Sequence, residues 1–281
     1  MSLINASVDS AIAIAERRSG RAGAGVYSGR SRVVLERGWY ALKSSTWMVV
    51  ASGFVEPIIY LLAFGYGIGQ FITGTTDGNG NPITYAQFIA PALLATSAMN
   101  GAIYDSTWNV FFKMHFGKLY NSMLSTSMGT LDVALGEIGW ALIRGLAYAI
   151  GFMAVVTPMG LIPSGYGILA IPASVLIAFG FASVGMGVTS YLKSHQQMQW
   201  IQLVMLPMFL FSGTFFPLTI YPEPVQWLIQ SLPLWQAIEL IRGLTLGIIN
   251  LTMLGHVLYF VAMIIGGLYF TTRRLTALFL R

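Results

Sequence analysis

The sequence contains no cysteine and very little charge. Only 9% of its 281 residues are Asp, Glu, Lys or Arg, whereas soluble proteins have about 25%. Without cysteine the chain has no disulfide framework, no thiolate metal site, no cysteine nucleophile and no cysteine lipidation. So small a charged fraction indicates that the chain is not a soluble protein.

Motifs for nucleotide binding and for hydrolysis are also missing. The chain has no G-x-x-x-x-G-K-[ST] phosphate loop, no G-x-S-x-G and no H-E-x-x-H. Its three histidines, His115, His195 and His256, are far apart, and no close group of histidines and carboxylates indicates a metal site. The sequence therefore predicts neither an enzyme nor a cofactor bound by this chain.

Apolar residues make up 56% of the chain, and its mean hydropathy is +0.70. They are concentrated in stretches near the roughly 20 residues that a helix needs to cross a bilayer. We predict an all-α, polytopic membrane protein with six transmembrane helices. The predicted spans are Trp47–Gly67, Tyr85–Asp105, Leu131–Val156, Gly167–Leu192, Trp200–Pro217 and Leu251–Phe270.

The basic residues indicate an orientation in the membrane. With the N-terminus in the cytoplasm, 13 of the 15 Lys and Arg residues lie in cytoplasmic segments, and only Arg242 is external. Both termini are therefore predicted to be cytoplasmic, with a flexible tail over residues 1–29 and one transmembrane domain over 30–281. This distribution is not that of a nucleic-acid-binding protein, whose basic residues cluster on one face or in one tail.

Two segments outside the spans have their own pattern. Residues 30–45 are predicted to form a helix at the cytoplasmic interface, with a merely solvated basic linker as the alternative. Its apolar and charged stripes are Leu35, Trp39 and Leu42, and Arg32, Glu36 and Lys43. Residues 218–247 are too apolar for a loop and too rich in proline for a span, so we predict an external re-entrant helical hairpin that acts as an outer gate.

Charged residues inside predicted spans are the main candidates for a functional site, because an ionisable group in the bilayer usually faces protein. Glu56 is followed by Pro57, which can kink the first span. Glu137 and Arg144 lie on one helix face about 10 Å apart, so each is expected to meet a partner elsewhere. Structural pairing and contact with substrate both remain open for these residues. His256 is expected to make an interhelical hydrogen bond.

A cytoplasmic segment at 113–128 is amphipathic but too short to be a span. It places apolar residues at helical spacing next to Lys113 and Lys118, which favours docking into a groove of another protein. Packing on its own membrane domain is the alternative. The apolar residues are Phe116, Leu119, Tyr120, Met123 and Leu124.

Five stretches in the same order resemble the permease subunits of type-2 ABC exporters, especially those exporting nodulation lipo-oligosaccharides or conferring daunorubicin resistance. They are GFVEPIIYLLAFGYGIG, FIAPALLATSAMNGAIYDSTW, FGKLYNSMLSTSMGTLDVALGEI, the Gly136-Glu137 pair, and FLFSGTFFPL at residues 209–218. The chain departs from the family at Ser125–Ser127, where a Thr-Pro is frequent, and at 233–236, where a Pro-Leu-Thr-His is frequent.

The resemblance implies a transport subunit in the cytoplasmic membrane of a bacterium. Two copies of a separate cytoplasmic ATPase, which binds ATP and Mg²⁺, would drive an amphiphilic substrate through a dimer of this chain or of this chain with a related permease. The 113–128 segment, including Lys118, would couple to the ATPase. From the residues themselves, the candidates for the substrate pathway or its gating are Glu56, Pro57, Glu137 and Arg144, and those for the external gate are Phe215, Phe216, Pro217 and Trp235.

Two other functions are alternatives to this one. A proton-coupled carrier would use Glu56 and Glu137 as relay acids, but such carriers are typically built from inverted repeats, which this sequence lacks. A lipid-modifying membrane enzyme would need a polar catalytic cluster near one interface, and the sequence has none.

Overall fold

The computed structural model describes residues 31–44, 55–72, 74–77, 79–125 and 128–279. These residues form helices and one isolated antiparallel bridge between Thr76 and Pro82. The helices are α1 (Ser31–Ser44), α2 (55–71), α3 (Tyr85–His115), α4 (Leu119–Leu124), α5 (Thr130–Val156), α6 (Gly165–Thr189), α7 (Gln199–Phe211), α8 (Glu223–Ser231), α9 (Pro233–Leu246) and α10 (Thr252–Phe279).

Four of these helices, α3, α5, α6 and α10, are long and apolar enough to cross a membrane. They have between 25 and 31 residues, which corresponds to about 37–47 Å of helix and exceeds the ~30 Å of a hydrocarbon core. Helix α6 packs against the other three, so it lies at the centre of the bundle. The described chain is therefore a multi-pass membrane protein organised around α6.

The prediction of six spans is confirmed only for these four helices. The first predicted span falls partly on residues 47–54, which lie outside the described residues. The fifth is shorter than predicted, because α7 ends at Phe211 after 13 residues, about 20 Å. The chain leaves the helix at Ser212, and Gly213 then adopts a left-handed conformation with φ of 75°, which only glycine adopts without strain.

Helix α1 confirms the helical part of the prediction for 30–45. It packs along α5, where Val34 is buried against Gly136. A Cβ atom at residue 136 would overlap the Val34 side chain, so glycine is what allows this close approach. Val33, Trp39 and Tyr40 remain exposed on the other side of α1, as expected of a helix at a membrane interface. The predicted tail, 1–29, lies outside the described residues.

The predicted external hairpin contains two helices, α8 and α9, each with a proline at its first or second position. Proline fits there because the first turn of a helix has backbone donors without helical partners. Gly247 ends α9 in a left-handed conformation. That this hairpin re-enters the membrane remains a prediction.

Candidate functional site

The first part of the site is a buried carboxylate on α5 that side chains from α1 and α3 contact. The Glu137 side chain on α5 is only 4% exposed. Arg37 of α1 donates from Nη2 to Glu137 Oε1 at 3.1 Å, and Lys113 of α3 donates from Nζ to Oε2. A single buried acid thus accepts hydrogen bonds from two cations on two different helices, which compensates its burial.

A second buried ion pair lies about two turns further along the same two helices. Arg144 Nη1 on α5 is 2.8 Å from Asp105 Oδ1 on α3, and the two side chains are 14% and 3% exposed. Asn109 donates to the same carboxylate oxygen at 2.5 Å. Asp105 begins a π-helical turn that ends at Asn109, so a local change in winding coincides with this pair.

On both α3 and α5 the acidic residue comes before the basic one along the chain. Helix α3 contributes an acid, Asp105, and then a base, Lys113, whereas α5 contributes the acid Glu137 and then the base Arg144. Because the helices are antiparallel, each acid faces a base. Sliding α5 by two turns would set Asp105 against Glu137, so the charges favour a single register. We call these four residues, together with Arg37, the charge cluster.

The prediction that Glu137 and Arg144 each meet a partner on another element agrees with these contacts. Whether either residue contacts substrate remains a prediction. Sequence reasoning missed the partner Asp105, which was assigned only as the end of a predicted span, and it treated Lys113 and Arg37 as cytoplasmic flanking charges. A signal for this pairing is present in the sequence. Asp105 and Lys113 on α3 are eight residues apart, which is close to the seven-residue spacing on α5.

Glu56 and Pro57 lie apart from the charge cluster, near the beginning of α2. Glu56 is exposed on this chain and Pro57 is buried. Among the described residues Glu56 has no ion-pair partner. The sequence grouped Glu56 with Glu137 and Arg144, but the structure does not bring them together.

The predicted coupling segment includes α4, whose Tyr120 side chain points into the protein. Tyr120 is fully buried, and its ring meets that of Phe279 edge to face at a centroid distance of 6.3 Å. Burial raises the pKa of the Tyr120 phenol well above its ordinary value, so this group stays neutral. Leu119, Met123 and Leu124 are partly buried against the same core. These residues therefore pack on the protein's own membrane domain, which is the alternative to docking into a groove of another protein.

Exposed apolar surface at this end of the molecule is supplied instead by Phe116, which is 70% exposed, with Lys118 exposed beside it. Phe112 is 45% exposed, and its ring lies 6.0 Å from that of His195. Trp108 meets the same histidine edge to face at 5.1 Å. The turn between α6 and α7 therefore lies beside the end of α3, which sequence reasoning did not anticipate.

The predicted external gate residues surround the turn after α7. Phe215 is buried, Phe216 is half exposed and Pro217 is exposed. Trp235 is partly buried, and its ring lies 3.6 Å from the position that a Cβ at Gly213 would occupy. The structure thus brings Trp235 of α9 to the turn that contains the other three residues.

Arg242 of α9 holds this turn in place. Its Nη2 donates to the Gly213 carbonyl at 2.9 Å and to the Phe88 carbonyl at 3.4 Å, while Nη1 donates to Glu239 at 2.5 Å. The guanidinium also lies 4.1 Å from the Phe88 ring centroid. In the sequence Arg242 was only the one external cation, so this role was missed.

Two further findings bear on the chemistry. His256 of α10 shares a hydrogen bond with the Gln236 side chain of α9, which confirms the interhelical bond expected of it. In the part of the chain that the structure describes, no group of three His, Asp or Glu side chains is arranged to hold a metal ion.

The chain is similar in sequence to known proteins. Residues 31–246 match the family described as "ABC-2 type transporter". Nodulation protein J of Sinorhizobium fredii is 32% identical over 210 residues, which cover 74% of this chain and 78% of that protein. Nodulation protein J of Rhizobium leguminosarum bv. viciae is 31% identical over 215 residues, covering 76% and 81%. No solved structure matches the chain significantly.

Proposed function

Because the chain belongs to the ABC-2 type transporter family, we propose that it is the transmembrane subunit of an ATP-driven exporter. A separate cytoplasmic ATPase binds ATP and Mg²⁺ and supplies the energy. The cargo is an amphiphile such as a drug, a glycolipid or a lipid-linked oligosaccharide. Two ATPases act on a pair of permeases, either two copies of this chain or this chain with a related one.

The observation that carries this proposal is the family match, which extends over 31–246 and thus over nine of the ten helices. Two features of the chain support it. The long apolar helices suit a path through a bilayer, and the sequence has no phosphate loop with which to bind ATP itself. In the proposed orientation both termini, α4 and the turn at 193–199 face the cytoplasm of a bacterial cell.

The contacts suggest how movement passes from the ATPase into the membrane domain. An ATPase that docks on Phe116 pulls on the end of α3, where Lys113 lies three residues away. Lys113 contacts Glu137 on α5, and Glu137 also contacts Arg37 on α1. Displacing the end of α3 therefore acts on two further helices through one carboxylate.

The first experiment is to extract the complex from its native membrane in mild detergent and identify stoichiometric partners by mass spectrometry. An ATPase at one copy per permease, with vanadate-sensitive hydrolysis that depends on this chain, is the expected result. A chain that remains alone under several gentle conditions, and whose transport collapses with the proton gradient while ATP is present, would replace this proposal with the proton-coupled carrier.

Docking at Phe116 leads to a specific prediction. Phe116→Asp is expected to weaken binding of the ATPase about 30-fold, the usual cost of losing an aromatic hot spot, because it places a charge in an apolar contact. The affinity is measured with purified permease in nanodiscs and purified ATPase. Tyr120→Asp is unsuitable here, because Tyr120 is buried and its loss would disturb folding.

Phe116→Leu is the matched control, since it keeps an apolar side chain at the same exposed position. It should retain most of the affinity. Equal affinities for Phe116→Asp and the unmodified protein would show that the ATPase docks elsewhere.

A further inference from the structure

Two long stretches of this chain contain no acidic residue. No Asp or Glu occurs between Glu137 and Glu223, and none follows Glu239. Yet these stretches contain Lys193, Arg273 and Arg274. None of the three forms an ion pair within the described ranges. Within those ranges their charge is therefore available to an anion from outside the chain.

Arg274 is held in a defined position despite having no acidic partner. Its guanidinium lies 4.2 Å from the ring centroid of Tyr191, and that ring stacks on Phe270 at 5.2 Å with an interplanar angle of 17°. Arg274 is partly buried, and its Nε atom is buried without a hydrogen-bond partner. The aromatic pair thus orients a cation whose Nε donor has no partner among the described residues.

The position of these cations relative to the bilayer follows from the length of the apolar helix segments before them. The segment 252–272 of α10 contains no Asp, Glu, Lys or Arg and is about 31 Å long, one hydrocarbon thickness. Arg273 and Arg274 come directly after it. The first charged residue after the end of α6 is Lys193.

The end of α6 lies beside the Phe270–Arg274 part of α10, and α10 then continues to Phe279. Thr271 of α10 donates to the Ser183 carbonyl of α6 at 2.9 Å, and Tyr191, two residues after the end of α6, stacks on Phe270. Tyr191 and the two arginines therefore lie at one level, which in the proposed orientation is that of the lipid headgroups, and Lys193 follows Tyr191 by two residues. Tyr191, Tyr269 and Phe270 are 47%, 67% and 45% exposed there, as expected of an interfacial aromatic belt.

We propose that the ends of α6 and α10 bind the phosphate of an anionic phospholipid headgroup, with Arg274 as the main ligand and Tyr191 as the platform that orients it. Arg273 and Lys193 add charge around the same phosphate. The exposed aromatic rings favour a lipid over a protein partner, because they lie where headgroup and hydrocarbon meet. The proposal rests on the membrane orientation given under the proposed function.

The test is to measure retention of lipids by the purified full-length permease, with its ATPase where that co-purifies, in native mass spectrometry. The probes are mixed vesicles of phosphatidylglycerol and phosphatidylcholine, from which the protein is extracted. We expect selective retention of phosphatidylglycerol, about fivefold weaker for Arg274→Ala and about 25-fold weaker for the double variant with Arg273→Ala.

Two further variants separate this site from general electrostatic attraction. Arg32→Ala removes a cation that is 85% exposed and should leave retention unchanged. Tyr191→Leu keeps every charge but removes the platform, so it should weaken retention while thermal stability in pure phosphatidylcholine stays the same. Equal losses from Arg32→Ala and Arg274→Ala would overturn the proposal.

Two further outcomes would each reject a lipid site. Displacement of the lipid by millimolar inorganic phosphate would identify a site for a soluble anion and reject the lipid. Loss of ATPase binding by Arg274→Ala, with lipid retention unchanged, would assign the patch to the ATPase instead. Because retention is measurable on the permease alone, a failure to find any ATPase would count against the proposed function and not against this site.

Discussion

Replacing Arg144 with Ala is expected to lower the free energy of unfolding by about 3 kcal/mol, the usual cost of removing one partner of a buried ion pair. Asp105 is only 3% exposed, and without Arg144 its carboxylate would keep just the hydrogen bond from Asn109. The carboxylate must then remain charged in an apolar bundle or take up a proton, and both raise the free energy of the folded state.

The measurement is the midpoint of thermal unfolding in detergent, followed by size-exclusion chromatography with fluorescence detection. The double variant Arg144→Met with Asp105→Asn should recover most of the loss, because it leaves no uncompensated charge. Arg32→Ala is the matched control, since its ion pair with Glu36 is exposed and contributes at most about 1 kcal/mol. If Arg144→Ala unfolded at the same temperature as this control, the pair would have no stabilising role.

Replacing Glu137 with Gln is expected to separate α1 from α5. The substitution keeps the size of the side chain but leaves Lys113 and Arg37 close together without a counter-charge. Lys113 then repels Arg37. Because α1 packs mainly on α5, few other contacts keep α1 in place. We expect a loss of about 2 kcal/mol in stability, less than for a fully buried pair because both cations are partly exposed.

The absence of cysteine makes this separation measurable by disulfide cross-linking without background. A Cβ at Gly139 would lie 3.8 Å from Leu35 Cγ, so Leu35→Cys and Gly139→Cys are close enough to be cross-linked by a mild oxidant. Glu137→Gln in that background should reduce the yield about tenfold. Glu36→Gln, on the same helix but exposed, should not. An unchanged yield with Glu137→Gln would show that packing at Gly136 holds α1 without the ion pair.

The two substitutions also address the function of the charge cluster. If movement passes from α3 to α1 through Glu137, then Glu137→Gln lowers transport at a temperature where the protein is still folded. Arg144→Met combined with Asp105→Asn restores stability without touching Glu137, so transport should then persist. A difference between these two variants is what distinguishes transmission of movement from stability alone.

The sequence predicted the helical, membrane-spanning character of the chain and two members of the charge cluster. Apolar runs of 20 or more residues and helical spacing are local properties, so α3, α5, α6 and α10 could be recognised from them. Glu137 and Arg144 were recognised because charge inside an apolar run is costly. The short α7 was not foreseen, since its end depends on Gly213 and on the contact of that glycine with Arg242.

Composition and spacing by themselves determined the class of protein, the four long helices and the family resemblance, because each depends on residues close together in the chain. Only the tertiary structure decided which charges pair, since Arg37 and Glu137 are 100 residues apart and meet through the packing of α1 on α5. The same holds for Tyr120, whose place on an amphipathic helix indicated docking. Tyr120 is buried because α10 packs against it, and the residue pattern of α4 does not indicate where α10 lies.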